Sequence, residues 1–209
     1  MPYQPIALPS HVPDELTSLI REIIDPFLGE IRFLLSVQKP DQGPKGSLHR
    51  PLLILLLAAA DGAAQLLYSE GKKATNREKF KSFIKNNFPW ELDSPDGLSI
   101  DEACQFLWEE VRCPLFHRYS LRTNQANTSG MVKFGRVLAT DEEKLTQLEL
   151  LTDQRPYSDP TFRRDHTRTI VWIDSFYWAL RIAITRSINT PEKAATITAW
   201  VKSGEWDPK

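Results

Sequence analysis

The run PLLILLLAAA, residues 51–60, carries no charged or hydrogen-bonding side chain. A segment apolar on every side must be surrounded by other apolar surface. Asp61 and Gly62 close it well short of the ~20 residues that cross a bilayer. It therefore reads as a fully buried helix, and the rest of the chain must supply its neighbours. The 209 residues suffice for one domain with a sizeable core. With 41% hydrophobic and 25% charged residues, the chain has the composition of a folded soluble protein, which excludes a disordered polyelectrolyte.

Residues 1–13 hold Pro2, Pro5, Pro9 and Pro13, which predicts an extended arm. From Asp14 the residues Leu16, Leu19, Ile20, Ile23 and Ile24 recur at helical spacing, followed by Phe27, Leu28, Ile31, Leu34 and Leu35. Pro26 is expected to kink or divide that helix. KPDQGPKGS (39–47) reads as a loop, and 48–69 as the helix around the apolar run. TNREKFKSFIKNNF (75–88) is amphipathic, with Thr75 or Asn76 as its cap. Ser99 stands three residues before Glu102, a capping-box pattern that starts IDEACQFLWEEVRCPLFHRY. The polar stretch 121–160 reads as an insertion, with a short β-hairpin in 130–140 around Gly135. Helices are expected over 161–188 and 191–203, the second opened by Pro191. With no alternating β-α pattern, the expected fold class is mostly all-α, a single domain with a bundle core over 14–120 and C-terminal helices in 161–209.

The N-terminus lacks a basic start followed by an apolar block, so neither a secretory leader nor a membrane anchor is expected. Cys104 and Cys113 are too few for a disulfide framework and have no zinc-type partners. Reduced thiols and a cytoplasmic setting follow as expectations. The net charge of −1 provides no overall attraction to nucleic acid or membrane, so binding to a polyanion requires a local patch.

Such a patch is offered by VRCPLFHRY, residues 111–119. Arg112 is a permanent cation with a planar fork of donors suited to phosphate. His117 can take or give a proton near neutral pH. In a straight helix the two point about 140° apart at ~100° per residue, and Pro114 can turn them toward each other. Together they suit cleavage of an RNA phosphodiester. Between Glu110 and Asp141 the chain holds Arg112, Arg118, Arg122, Lys133 and Arg136 and no acidic residue. Arg118 and Arg122 are candidate phosphate contacts, and Tyr119 offers a face for an unpaired base. Asp61 is a carboxylate within an apolar helix, either structural or a supporting site acid. Cys113 is a supporting neighbour whose simplest role is that of a small buried apolar residue. Cations at a helix C-terminus also simply suit the helix dipole. His49 reads as a helix-boundary residue and His166 as part of a solvated charged face.

The order of segments LLILLLAAADGAAQLL, REKFKSFIKNNFP and FLWEEVRCPLFHRY resembles the HEPN superfamily of small α-helical proteins, over roughly residues 14–120. That resemblance implies an antiparallel four-helix bundle. In active HEPN proteins the arginine and histidine form a metal-independent ribonuclease site, usually at a homodimer interface and without a cofactor. Carried over, it implies Arg112 as phosphate stabiliser and His117 as the proton-transfer residue, in a toxin or defence effector with an antitoxin partner. Active members usually have a polar residue directly after the arginine; here Cys113 and Pro114 follow. Other members are non-catalytic, which implies the alternative of a nucleotide- or RNA-binding or protein-interaction module.

Overall fold

A computed structural model describes residues 3–36, 49–67, 74–90, 99–113, 131–135, 162–165 and 168–204. The described residues are mostly helical. Helix α1 (Asp14–Leu19) runs through a π-helical turn (Ile20–Ile24) into α2 (Asp25–Ser36). The amide of Asp25 donates to the Ile20 carbonyl, five residues back. Pro26 has no amide and crowds the preceding turn, and the widened turn before it relieves that crowding without breaking the helix. Leu16, Ile20, Ile24, Leu28, Ile31 and Leu35 are consequently all buried along one continuous side.

Helix α3 (His49–Leu67) is the hub, packed on α2, on α4 (Asn76–Asn87), on α6 (Ile173–Ser187) and on α7 (Pro191–Lys202). Leu52, Leu53, Leu56, Leu57, Ala60 and Ala64 are fully enclosed. Ile54, Leu55, Ala58 and Ala59 are only partly buried, so the apolar run is a central helix with one side near the surface, not a fully buried one. Among the described residues no helix is long and apolar enough to cross a membrane.

Helix α4 starts with a capping box in which the Thr75 hydroxyl accepts from the Glu78 amide and the Glu78 carboxylate accepts from the Thr75 amide. Ser99 and Glu102 repeat it at α5 (Ile100–Phe106). Such reciprocal caps satisfy amides that the first helical turn leaves unpaired. Helix α5 continues into a second π-helical segment (Leu107–Arg112), where the Cys113 amide donates to the Trp108 carbonyl. Again a proline, Pro114, comes next in the sequence.

Among the described residues there are also three strands, β1 (Met131–Gly135), β2 (Phe162–Asp165) and β3 (Arg168–Trp172), in the order β1-β3-β2. The strand near Gly135 exists and pairs with β3 in parallel, while residues 136–140, the rest of the expected hairpin, lie outside the described residues. The helix expected over 161–188 begins only at Ile173, because β2 and β3 pair antiparallel before it. β-branched and aromatic residues in 162–172 satisfy a strand as readily as an apolar helix.

The proline-rich arm is docked rather than loose. Ile6 is buried, its amide donating to Asp25 Oδ1 at 3.0 Å. The Tyr3 hydroxyl donates to the same oxygen at 2.7 Å, while Arg21 pairs with Oδ2. Arg181 of α6 donates to the Gln4 carbonyl at 2.9 Å, and His11 Nε2 lies 3.1 Å from the Ile188 carbonyl oxygen.

Candidate functional site

Helices α3, α4 and α5 set the place of Arg112. Leu107 and Val111 are fully buried and seat the π-helical segment against the core. Polar contacts tie the same stretch to α4: Arg77 pairs with Glu109, Lys81 donates to Gln105 at 2.6 Å, and Lys85 pairs with Asp101 at 2.7 Å. These groups are largely exposed and screened by solvent, so none of the contacts counts for much alone, but together they fix the register of α5 on α4.

Trp108 lies four residues before Arg112. Its ring packs on Phe80 at a centroid distance of 5.4 Å, and the Arg112 guanidinium sits over it at 4.4 Å. A cation over an indole face is attracted by the ring's quadrupole, the more so when partly desolvated. Arg112 also donates to Asp61 Oδ2 of α3 at 2.8 Å, with 15% of the Arg112 side chain and 21% of the Asp61 side chain exposed. The aromatic stack and the carboxylate thus hold the guanidinium plane from two sides at the edge of the core.

The other carboxylate oxygen, Asp61 Oδ1, is buried and has no hydrogen-bond partner among the described residues. The same holds for Gln65 Nε2, one helical turn further along α3. The Gln65 carbonyl accepts weakly from Trp200 Nε1 of α7 at 3.4 Å. A buried acceptor or donor left unpaired costs free energy. The Asp61 carboxylate beside the arginine therefore keeps one oxygen that can receive a hydrogen-bond donor.

Of the sequence-derived site residues, Asp61 and Arg112 are in direct contact, although 51 positions separate them in the chain. Cys113 follows Arg112 and is half-buried. His117, Arg118, Tyr119 and Arg122 lie outside the described residues. Trp108 and Gln65 were not singled out from the sequence. Their signal was the four-residue spacing from Arg112 and Asp61, which places them on the same helix faces. Cys104 is buried beside α4, and burial above all pushes its thiol up to about 12, which makes it a packing residue rather than a nucleophile.

Comparisons with family models, with curated proteins and with solved structures return no match for this chain.

Proposed function

We propose that the chain is a HEPN-like ribonuclease in which Arg112 and His117 act on an RNA phosphodiester. The observation that carries this reading is the double anchoring of Arg112 by Asp61 and Trp108, at the end of the helix that bears the Arg-x4-His pattern. A guanidinium fixed before substrate arrives loses little freedom when a phosphate binds. The reaction is attack of a 2′-hydroxyl on the adjacent phosphorus, with loss of the 5′-oxygen. His117 moves the proton, and Arg112 balances the charge that grows on the phosphoryl oxygens. Asp61 keeps the arginine oriented, and its Oδ1 is an acceptor for an imidazole N–H or a ribose hydroxyl. Arg118, Tyr119 and Arg122 serve the flanking backbone and bases. Homodimerisation, which would complete the site from two copies, predicts a dimer mass by light scattering. A role as toxin or defence effector, held in check by an antitoxin, is the corresponding biological setting.

The deciding experiment is incubation of structured and single-stranded RNAs in EDTA with the wild type, Arg112→Ala and His117→Ala. Wild-type cleavage leaving 2′,3′-cyclic phosphate ends, lost in both variants, is the expected result. Equal cleavage by His117→Ala would sink the proposal.

One observation favours a second reading. The charge of Arg112 is already met by Asp61, as in a structural ion pair. On that reading the chain is a non-catalytic HEPN-like module that binds RNA or a nucleotide, or a protein partner. Wild-type protein then leaves every RNA intact across pH.

A further inference from the structure

Helices α4 and α5 meet through an antiparallel ladder of polar side chains. Arg77, Lys81 and Lys85 recur every four residues along α4, and Asp101, Gln105 and Glu109 recur likewise along α5 and its π-helical continuation. Residues four apart share one face of a helix. Lys85 meets Asp101 at 2.7 Å and Lys81 meets Gln105 at 2.6 Å, while Arg77 reaches Glu109 and, at 3.1 Å, Gln105. The end rungs are ion pairs. The middle rung differs: Lys81 donates to a neutral amide oxygen that Arg77 already shares, and no carboxylate pairs with Lys81 among the described residues.

A cavity of about 630 Å³ opens on this ladder, with Arg77, Lys81, Ser82, Lys85, Asp101 and Cys104 in its wall. Neither of the other groups there that could neutralise Lys81 does so. Glu78 also lines the cavity, but its carboxylate is turned back on Thr75, accepting from the amide at 2.7 Å and from the hydroxyl at 2.9 Å. Burial, with the Asp101 charge second, pushes the Cys104 thiol up to about 12 against the pull of Lys81 and Lys85. The thiol is therefore uncharged at neutral pH. Lys81 is half-buried, and an ammonium partly stripped of water without a counter-charge costs free energy that an incoming anion recovers.

The donors along this wall, two ammonium groups, a guanidinium and a hydroxyl, suit the many acceptor oxygens of a phosphate better than the two of a carboxylate. The volume falls within the ~300–1,000 Å³ of small-molecule sites, so a bare ion would leave most of it empty. Asp101 and Glu78 in the same wall are acceptors for hydroxyl groups. We propose that the groove between α4 and α5 binds a small phosphorylated polyhydroxy compound, with its phosphate on Lys81 at the middle of the ladder and its hydroxyls toward Asp101 and Glu78. The groove shares no residue with the Asp61–Arg112 pair, and the proposal stands whether or not the chain cleaves RNA.

The test is isothermal titration calorimetry of the full chain with ribose 5-phosphate, gluconate and inorganic phosphate. The wild type is compared with Gln105→Glu, Lys81→Gln and Arg112→Ala. Ribose 5-phosphate is expected to bind the wild type more tightly than the other two probes. Gln105→Glu completes the ladder from within, and is expected to weaken that binding at least about tenfold without lowering the thermal midpoint. Lys81→Gln is expected to weaken it as much; should that variant fail to fold, Gln105→Glu decides alone. Unchanged affinity in Gln105→Glu overturns the proposal, as does a wild type that ribose 5-phosphate does not bind at millimolar concentration. Equal affinity for inorganic phosphate overturns the organic ligand, and equal affinity for gluconate overturns the choice of phosphate. Arg112→Ala is expected to keep the wild-type affinity. If it loses binding while Lys81→Gln keeps it, the phosphate belongs beside Arg112 and the groove is overturned. The ribonuclease reading fails separately, through a wild type that binds ribose 5-phosphate in this pattern and never cleaves RNA.

Discussion

Arg181 and Arg112 both stand over aromatic rings, and their surroundings differ. Arg181, in the middle of α6, is 1% exposed and enclosed by the rings of Tyr3, Trp178 and Tyr177, 5.2–5.9 Å from its guanidinium carbon. Its oxygen partners include the Gln4 carbonyl and, at 3.4 Å, the Tyr177 hydroxyl. The N-terminal arm lies across it, clasped in turn by Asp25. Arg112 has the Trp108 ring beneath it, the Asp61 carboxylate at its side and a position at the edge of the core. A cation sealed under a strap can only hold the fold together. A cation fixed at the rim has the same planar chemistry but remains within reach of a ligand. Depth therefore separates the structural arginine from the candidate functional one.

The largest expected effect bears directly on that contrast. Arg181→Ala empties a buried site and strands the polar groups of the arm, and should cost about 3–5 kcal/mol in urea unfolding. Arg181→Lys should also destabilise, because an ammonium cannot stack between rings as a guanidinium does. Arg112→Ala leaves Asp61 alone but near the surface, and should cost about 1–3 kcal/mol while abolishing RNA cleavage. Equal losses of stability at the two sites would break the distinction.

High pH sharpens it further. Burial, more than any other cause, pushes the Tyr3 hydroxyl above its ordinary range, and likewise the Cys104 thiol up to about 12. Both groups then keep their proton in the folded chain after the unfolded chain has released it. Each contributes fully at neutral pH, and that stability is lost as pH rises above the ordinary thiol and phenol values of about 8.5 and 10. Denaturation midpoints should fall between about pH 9 and 11, and Tyr3→Phe should flatten the fall. An equally steep fall in that variant would remove Tyr3 from the account.

The smallest effect is a gain. Gly62 lies in the interior of α3 beside Asp61, with nothing within 4 Å of a built Cβ. Gly62→Ala should stabilise by about 0.5–1 kcal/mol and leave cleavage unchanged, measured by thermal unfolding and the RNA assay together. A loss of cleavage in a more stable protein would extend the site to the exposed side of α3.

Features written within a few residues were readable in the sequence. Thr75 with Glu78 and Ser99 with Glu102 are capping boxes in the structure as in the chain, since the partners are three residues apart. Pro191 opens α7 for the same local reason. The Asp61–Arg112 contact was not readable, because it depends on how α3 meets the segment after α5. Nor were β2 and β3, since the pairing of β3 with β1 spans the insertion and the run ahead of Ile173 suits either structure. Chain-local chemistry set the ends of elements, and tertiary packing decided which residues became neighbours.

The two widened turns have a consequence for how the protein tolerates changes of length. A π-helical turn is an α-helix with one residue too many, and both here come just before a proline. Each works as a vernier between two rulers. Leu16 and Ile20 keep their alignment with Leu28 and Ile31 only because the surplus residue between them takes up the slack. Removing the exposed Glu22 would return that turn to ordinary pitch with both buried rows still in line. The same deletion within α2 would rotate everything beyond it by about 100°. The Ile20–Ile24 and Leu107–Arg112 turns are thus the points at which these helices can lose a residue without turning their core faces outward.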